Sequence, residues 1–418
     1  MRVAIVGSGA AGLASARHVI AAGFDLDVFE MRSVLGGTWV YTDDVGKDRY
    51  GYPVYSAMYQ GLRTNLPKEV MGFPDFPIPE QKKSYLTQAE ILDFLNQYAD
   101  KFNLKNYIKF NAIVTKIQPI NDTWKLSYVD KPTGNVIENQ YDAIMVCNGH
   151  YNDPVVPTIP GQELFAGDIE HSHNFRNPEK FRAKRVLVIG AGPSGLDLTL
   201  HISSVAKYVV LSHHLPQPIK TKYPPNVQMK PDVKCITDCK KIQFVDDSCD
   251  SFDYILLCTG YRYSFPFIDD TCGITVNDNH IQPLYKHMIH IEKPTMCFIG
   301  IPFNVCAFQM FDLQARYFCK YLKKSIILPS VEEMKIHTEN DVRSREAKGY
   351  SKRQMHMMGP YQESYYNDLA ADARTTPIAP VMVKLRDLSV QRLYDDLLNF
   401  REDRYKIVDD HSFIKVSN

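Results

Sequence analysis

Val3-Ala4-Ile5-Val6-Gly7-Ser8-Gly9-Ala10-Ala11-Gly12 decides the fold, because a short β-branched run passes straight into G-x-G-x-x-G and then into Leu13-Ala14-Ser15-Ala16-Arg17-His18-Val19-Ile20, at helical spacing. This is strand, turn and helix. The first glycine allows the tight turn, the second lets backbone approach a pyrophosphate, and the third lets helix and strand pack closely. Phosphates would then lie at the positive N-terminus of the helix.

The arrangement occurs twice. Val186-Leu187-Val188-Ile189 leads into Gly190-Ala191-Gly192-Pro193-Ser194-Gly195, and Leu196-Asp197-Leu198-Thr199-Leu200 opens the following helix. One such motif is weak evidence, but two, each between a strand and a helix, predict two dinucleotides meeting in one enzyme. The strand after the first motif, Leu26-Asp27-Val28-Phe29, ends in Glu30. A carboxylate there favours a cofactor with a free ribose 2′-hydroxyl, such as FAD or NAD. The corresponding strand of the second copy, Tyr208-Val209-Val210-Leu211, ends in Ser212-His213-His214 with no acid, and such donors suit a 2′-phosphate. The first copy therefore reads as the FAD site and the second as the NADP(H) site, with Lys220 and Lys222 as further candidates for the phosphate.

The expected fold class is α/β, with two Rossmann-like dinucleotide-binding domains, the NADP domain inserted into the FAD domain. Residues 1–155 make the first part of the FAD domain, 156–290 the NADP domain, and 291–418 the second part with a helical C-terminal cap. The insertion is suggested by an echo: Cys147-Asn148-Gly149 and Cys258-Thr259-Gly260 both end a buried strand in glycine. Residues 41–80 are rich in Tyr, Pro and Gly and too long for a passive connector, so they are expected to fold over a ligand.

At 418 residues the chain accommodates two to three domains. With 48 basic and 48 acidic residues, it offers no electrostatic case for nucleic acid or an anionic membrane. No apolar stretch approaches the ~18 residues of a membrane helix. Nine cysteines without framework spacing favour reduced thiols, and Cys235-x-x-x-Cys239 has neither metal nor redox spacing, so no metal is expected. Met1 leads directly into the first strand, so the chain as written is expected to be soluble and cytoplasmic, or secreted where Met1 replaces a removed signal peptide. The sequence is compatible with a homo-oligomer.

Phe165-Ala166-Gly167-Asp168-Ile169-Glu170-His171-Ser172-His173-Asn174-Phe175-Arg176, just before the second glycine motif, resembles the F-x-G-x-x-x-H-x-x-x-(Y/F)-(K/P/R) signature of flavin-containing monooxygenases. Leu35-Gly36-Gly37-Thr38-Trp39, Leu62-Arg63-Thr64-Asn65-Leu66-Pro67-Lys68, Cys258-Thr259-Gly260-Tyr261 and Asp312-Leu313-Gln314-Ala315-Arg316 are similar to other segments of that family, whose soluble insect members the chain resembles. The resemblance implies that NADPH reduces FAD, that O2 adds to the flavin as a C4a-hydroperoxide, and that one oxygen atom passes to the nucleophilic nitrogen or sulfur of a small amine or thioether, in detoxification. It implies FAD contacts at Gly7, Gly9, Ala10, Ala11, Gly12, Glu30, Arg32, Gly37, Thr38, Trp39, Thr64, Val114 and Gln314. It implies NADP contacts at Gly190, Gly192, Pro193, Ser194, Gly195, Ser212, His213, His214, Thr259 and Gly260. Asn65 is the catalytic candidate, since its amide can donate and accept but is no strong acid or base. His171 is expected to position the interdomain linker rather than take a proton.

Two other reaction classes compete. Baeyer-Villiger monooxygenases usually carry Trp where Phe175 stands. Flavoprotein disulfide reductases need a redox cysteine pair, and the chain has no C-x-x-C or C-x-x-x-x-C.

Overall fold

The structure is a computed structural model that describes residues 1–216 and 219–416. Its first unit is built on a seven-stranded sheet in the order Leu284–Tyr285, Ile289–His290, Met296–Phe298, Ala143–Val146, Arg2–Val6, Asp25–Phe29, Ile108–Lys109. The Arg2–Val6 strand pairs in parallel with both neighbours, and its residues 3–5 are fully buried. That explains the unbroken apolar run in the sequence, because a parallel strand covered on both faces has no solvent side to alternate with. Helix α1 (Ala10–Ala21) returns the chain across this sheet. Helix α2 (Gln88–Lys101) begins at a capping box in which Thr87 Oγ1 accepts from Glu90 N, while the Glu90 carboxylate accepts from Thr87 N at 2.7 Å. An antiparallel sheet, Ala112–Ile120, Thr123–Asp130 and Asn135–Tyr141, packs Trp124 and Leu126 against the same unit.

The second unit carries a five-stranded parallel sheet, ordered Val227–Lys230, Tyr208–Ser212, Arg185–Ile189, Tyr254–Leu257, Asp168–His171. Helix α3 (Pro193–Ser203) follows its central strand, as α1 follows Arg2–Val6. The chain enters and leaves this unit through two connectors, Asp153–Pro154 and Tyr261–Arg262, which pair with each other antiparallel. Beyond them Tyr263, Phe267 and Cys272 join a core with Val114 and Trp124, and Leu284–Tyr285 and Ile289–His290 extend the first sheet. Residues 263–290 thus pack with the first unit, so the boundary expected at 290 falls near 262. The physical reason is Gly260, whose φ of +83° redirects the chain just after the last parallel strand, Tyr254–Leu257, is complete.

Helix α4 (Ala307–Leu322) lies in the first unit's core, with Met310, Leu313 and Phe318 buried. Of the tail helices, α5 (Val331–Glu346) and α6 (Gln362–Asp372) add Met334, Tyr366 and Leu369 to that core. The last, α7 (Pro380–Asp395), adds Val383 to that core as well, while its Leu385 and Leu393, with Phe400 beyond it, pack with the second unit. The C-terminal part is therefore more than a helical cap. It bridges both units and finishes in a β-hairpin, Arg404–Ile407 with Phe413–Val416.

Candidate active site

Each glycine motif forms the same cradle. Gly7 has φ +102° and Gly190 +103°, and a Cβ on either would come within 2.6 or 2.5 Å of the carbonyl oxygen of Cys147 or Cys258 respectively. A Cβ on Gly12 or Gly195 would lie 1.8 Å from the carbonyl oxygen of Gly7 or Gly190. Only glycine fits there. Helices α1 and α3 begin at Gly9 and Gly192 with no side-chain cap, so their first N–H groups face outward, as a pyrophosphate requires. Gly192, Pro193 and Ser194 are exposed, whereas Ala10 and Ala11 are enclosed.

The first cradle has a matching wall. Glu30 is buried, and one carboxylate oxygen accepts from Ser8 N at 3.0 Å and Ser8 Oγ at 2.7 Å, while the other accepts from Arg32 N at 2.9 Å. Gly37 lies against Gly9, with room for no Cβ between them (2.9 Å), and the Gly37–Trp39 turn follows. Trp39 meets Phe308, at the start of α4, edge-on at 6.5 Å. The Arg32 guanidinium reaches the carbonyls of Gly37 and Val40 only at 3.5 Å, and burial pulls its pKa below the ordinary value. Val114 is buried beside this wall, on the strand whose Ala112 N donates to Glu30 O at 2.9 Å. The glycine cradle, the uncapped helix and the buried acid together fit an adenine dinucleotide with a free 2′-hydroxyl.

Gln314 sits differently from expectation. Its Oε1 accepts from Gly300 N at 2.9 Å and its Nε2 donates to Tyr365 Oη at 2.7 Å, with the whole side chain inaccessible. It holds the turn at Gly300 rather than facing a ligand directly.

At the second cradle the expected phosphate donors divide. Ser212 is inaccessible and its hydroxyl donates to Pro231 O at 2.8 Å, so it presents no donor to a ligand. This corrects the reading of Ser212, whose side chain alternates inward at the strand end. His213 Nδ1 accepts from Leu215 N at 3.2 Å, and burial lowers its pKa. His214 is exposed and lies 3.1 Å from Asp232, an acid contributed by the neighbouring strand end. Lys220 pairs with Asp395 at 3.0 Å. Thr259 Oγ1 donates to Val155 O at 2.5 Å, and Gly260 O accepts from Val155 N at 2.9 Å, so both brace the connectors between the units.

The segment from Phe165 to Arg176 acts as a clamp. Arg176 is buried and donates from Nη1 to the carbonyls of His173 (2.9 Å) and Phe175 (3.0 Å), and from Nη2 to those of Asp44 (2.8 Å) and Ser56 (3.0 Å). His173 Nε2 donates to Val54 O at 2.9 Å. The Tyr-rich stretch after residue 40 is thereby tied down onto the second unit. His171 Nδ1 accepts from His173 N at 3.1 Å, and burial lowers its pKa to about 4, which keeps the ring neutral.

Asn65 follows buried Thr64, whose N donates to Leu86 O at 2.8 Å. The Asn65 carbonyl accepts from Ser389 Oγ at 2.9 Å, and its side-chain Oδ1 accepts from Arg401 Nη2 at 2.7 Å. Arg401 also donates from Nη1 to Asp197 Oδ1, on α3, at 2.6 Å. Asp197 had a signal in the sequence, a lone acid in the apolar start of the second helix. Arg401 had none, being far from every motif.

Among the described residues, no group of side chains could hold a metal ion and no helix is long and apolar enough to cross a membrane. All nine cysteines are free.

With this geometry in place, the flavin-binding monooxygenase-like family profile matches residues 1–220 and 210–393. The chain is 34% identical over 424 residues to the senecionine N-oxygenase of Tyria jacobaeae, covering 100% of this chain and 92% of that protein. It is 35% identical over 390 residues to flavin-containing monooxygenase FMO GS-OX-like 4 of Arabidopsis thaliana, covering 88% and 86% of the two. Among solved structures, the S-allyl-L-cysteine S-oxygenase of Allium sativum superposes with a TM-score of 0.91 at 32% identity, over 96% of this chain and 94% of that one.

Proposed function

From a chain that belongs to the flavin-binding monooxygenase-like family, we infer an enzyme that oxygenates a soft nitrogen or sulfur atom of a small molecule, with tertiary amines of the pyrrolizidine-alkaloid type among its substrates and detoxification as its purpose. FAD and NADPH are its cofactors. When bound, the reduced flavin activates O2, and one oxygen atom goes to the substrate while the other leaves as water.

The protein's part is binding, orientation and exclusion of water. The cradle at Gly7–Gly12, with Glu30 behind it, holds the flavin dinucleotide, and the cradle at Gly190–Gly195 holds the nicotinamide one. His213, His214 and Lys222 remain as donors for a 2′-phosphate. The Arg176 clamp keeps the stretch from Asp44 to Ser56 closed over the site.

Asn65 supplies a neutral amide where the two cofactors meet. Unlike a carboxylic acid, a neutral amide there donates hydrogen bonds without giving up a proton. The observation that carries this reading is the link from Asn65 through Arg401 to Asp197, because it sets the amide between the first unit and the helix behind the second cradle.

The test is aerobic NADPH oxidation against tertiary amines, thioethers and ketones, with products identified by mass. N-oxides or sulfoxides are expected. Esters formed from ketones would move the chain to Baeyer-Villiger chemistry, and no oxygenated product would refute the reading.

A further inference from the structure

Asn65 is held from the far end of the chain. Arg401 donates to Asn65 Oδ1 at 2.7 Å, to Thr64 O from Nε at 3.1 Å, and to Asp197 Oδ1 at 2.6 Å, with only 11% of its side chain exposed. The arginine is itself fixed, since Arg63 Nη2 donates to its carbonyl at 2.7 Å and its guanidinium lies over the Phe400 ring at 4.8 Å.

A guanidinium carries donors and no acceptor. The Asn65 atom facing it must therefore be the oxygen. The amide nitrogen turns the other way, and among the described residues no hydrogen bond uses it. Asp197 lies in the first turns of α3, behind the second cradle, and its other oxygen accepts from Tyr59 Oη.

We propose that Arg401 is a positioning residue for the oxygenation: it fixes the Asn65 amide with its N–H donors toward the cofactors, and through Asp197 it links that orientation to the helix beneath the second dinucleotide. This rests on the role given to Asn65 above. The fork geometry matters as much as the charge, because three acceptors on two segments, Thr64 O and Asn65 Oδ1 on one and Asp197 Oδ1 on the other, are met at once. A lysine ammonium is a single point charge and cannot replace that span.

Arg401→Lys preserves the charge opposite Asp197 and so spares the fold the cost of a buried unpaired carboxylate. Three quantities are measured on the flavin-loaded protein: the thermal midpoint, the dissociation constant of NADP+ from the shift it causes in flavin absorbance, and hydrogen peroxide released per NADPH oxidised. The variant is expected to keep its flavin, to bind NADP+ about tenfold more weakly, the scale of one lost charge-assisted hydrogen bond, and to release more peroxide.

The same substitution placed on Asn65→Ala should add nothing to either defect, because both act through one amide. Wild-type NADP+ affinity and coupling in Arg401→Lys, or full additivity in the double variant, would overturn the proposal. If Arg401→Lys loses its flavin, Asn65→Asp asks the same question, since it keeps an acceptor for the guanidinium and removes the N–H donors. It should be as uncoupled as Asn65→Ala, and retained coupling would overturn the proposal. A wild-type protein that neither binds flavin nor oxygenates any substrate defeats the reading of the function, whereas a fully coupled Arg401→Lys defeats only this inference.

Discussion

Ser8 meets one oxygen of Glu30 twice, through its amide at 3.0 Å and its hydroxyl at 2.7 Å, so the acid that ends the second strand is held by the very loop that receives the pyrophosphate. Glu30→Gln would turn its NH2 toward the donors of either Ser8 or Arg32, its single oxygen serving only the other. The expected cost is about 1–3 kcal/mol for the unpaired buried donors. The variant should lose flavin on gel filtration, read from the ratio of absorbance at the flavin band to that of the protein.

Two glycines of the second cradle, buried Gly195 and exposed Gly192, should behave oppositely. Gly195→Ala drives a methyl to 1.8 Å from Gly190 O, which no side-chain motion relieves, so a strongly destabilised protein is expected. Gly192→Ala meets nothing within 4 Å and should melt within about 0.5 kcal/mol of wild type. Its defect should appear as a raised KM for NADPH with kcat nearly kept, because the methyl stands where the ligand approaches. Thermal melts and initial rates distinguish the two.

Arg176→Ala removes the donors for four backbone carbonyls at once. A loss of about 3 kcal/mol is expected. Hydrogen exchange should speed up mainly between residues 44 and 60. Unchanged exchange in that segment would mean that the arginine does not hold the loop.

Stability should fall on mild acidification. His356 Nε2 accepts from Ile281 N at 2.9 Å, so its Nδ1 carries the hydrogen and donates to His287 Nδ1 at 3.1 Å, while Asp341 lies 3.4 Å from His287 Nε2. Burial lowers the pKa of His287 to about 4, outweighing the opposing pull of Asp341, with Arg345 and His280 acting in the same direction as burial. Unfolded histidine takes its proton near pH ~6.5. The folded protein refuses that proton, so the contribution is complete above pH ~6.5 and lost progressively towards pH 4. Melting points measured between pH 7.5 and 5 should drop, and less steeply in His287→Gln.

Both cradles were legible in the sequence because their cause is local: a φ near +100° at Gly7 and Gly190 is written in the residue type itself. Glu30 was legible from its place at a strand end. Ser212 misled because the direction of its hydroxyl depends on Pro231 O, just past the end of the neighbouring strand. Gln314 misled likewise, its partners Gly300 and Tyr365 being set by tertiary packing. The boundary near 262 was hidden because Tyr263 and Phe267 are apolar residues that could have served either core. Arg401 lies 336 residues from Asn65, and no periodicity or motif spans such a distance.

The paired connectors Asp153–Pro154 and Tyr261–Arg262 have a consequence for biosynthesis. Every strand of the five-stranded sheet lies between Asp168 and Leu257, whereas the seven-stranded sheet needs Arg2–Val6 at one extreme and Met296–Phe298 at the other. Domains tend to fold as units while the chain is being made. Arrested nascent chains ending near residue 300 should therefore show protease resistance in the inserted sheet before the outer one. The half of the protein that the ribosome begins first is the half that must wait, its edge strands held open until the guest it encloses has already taken shape.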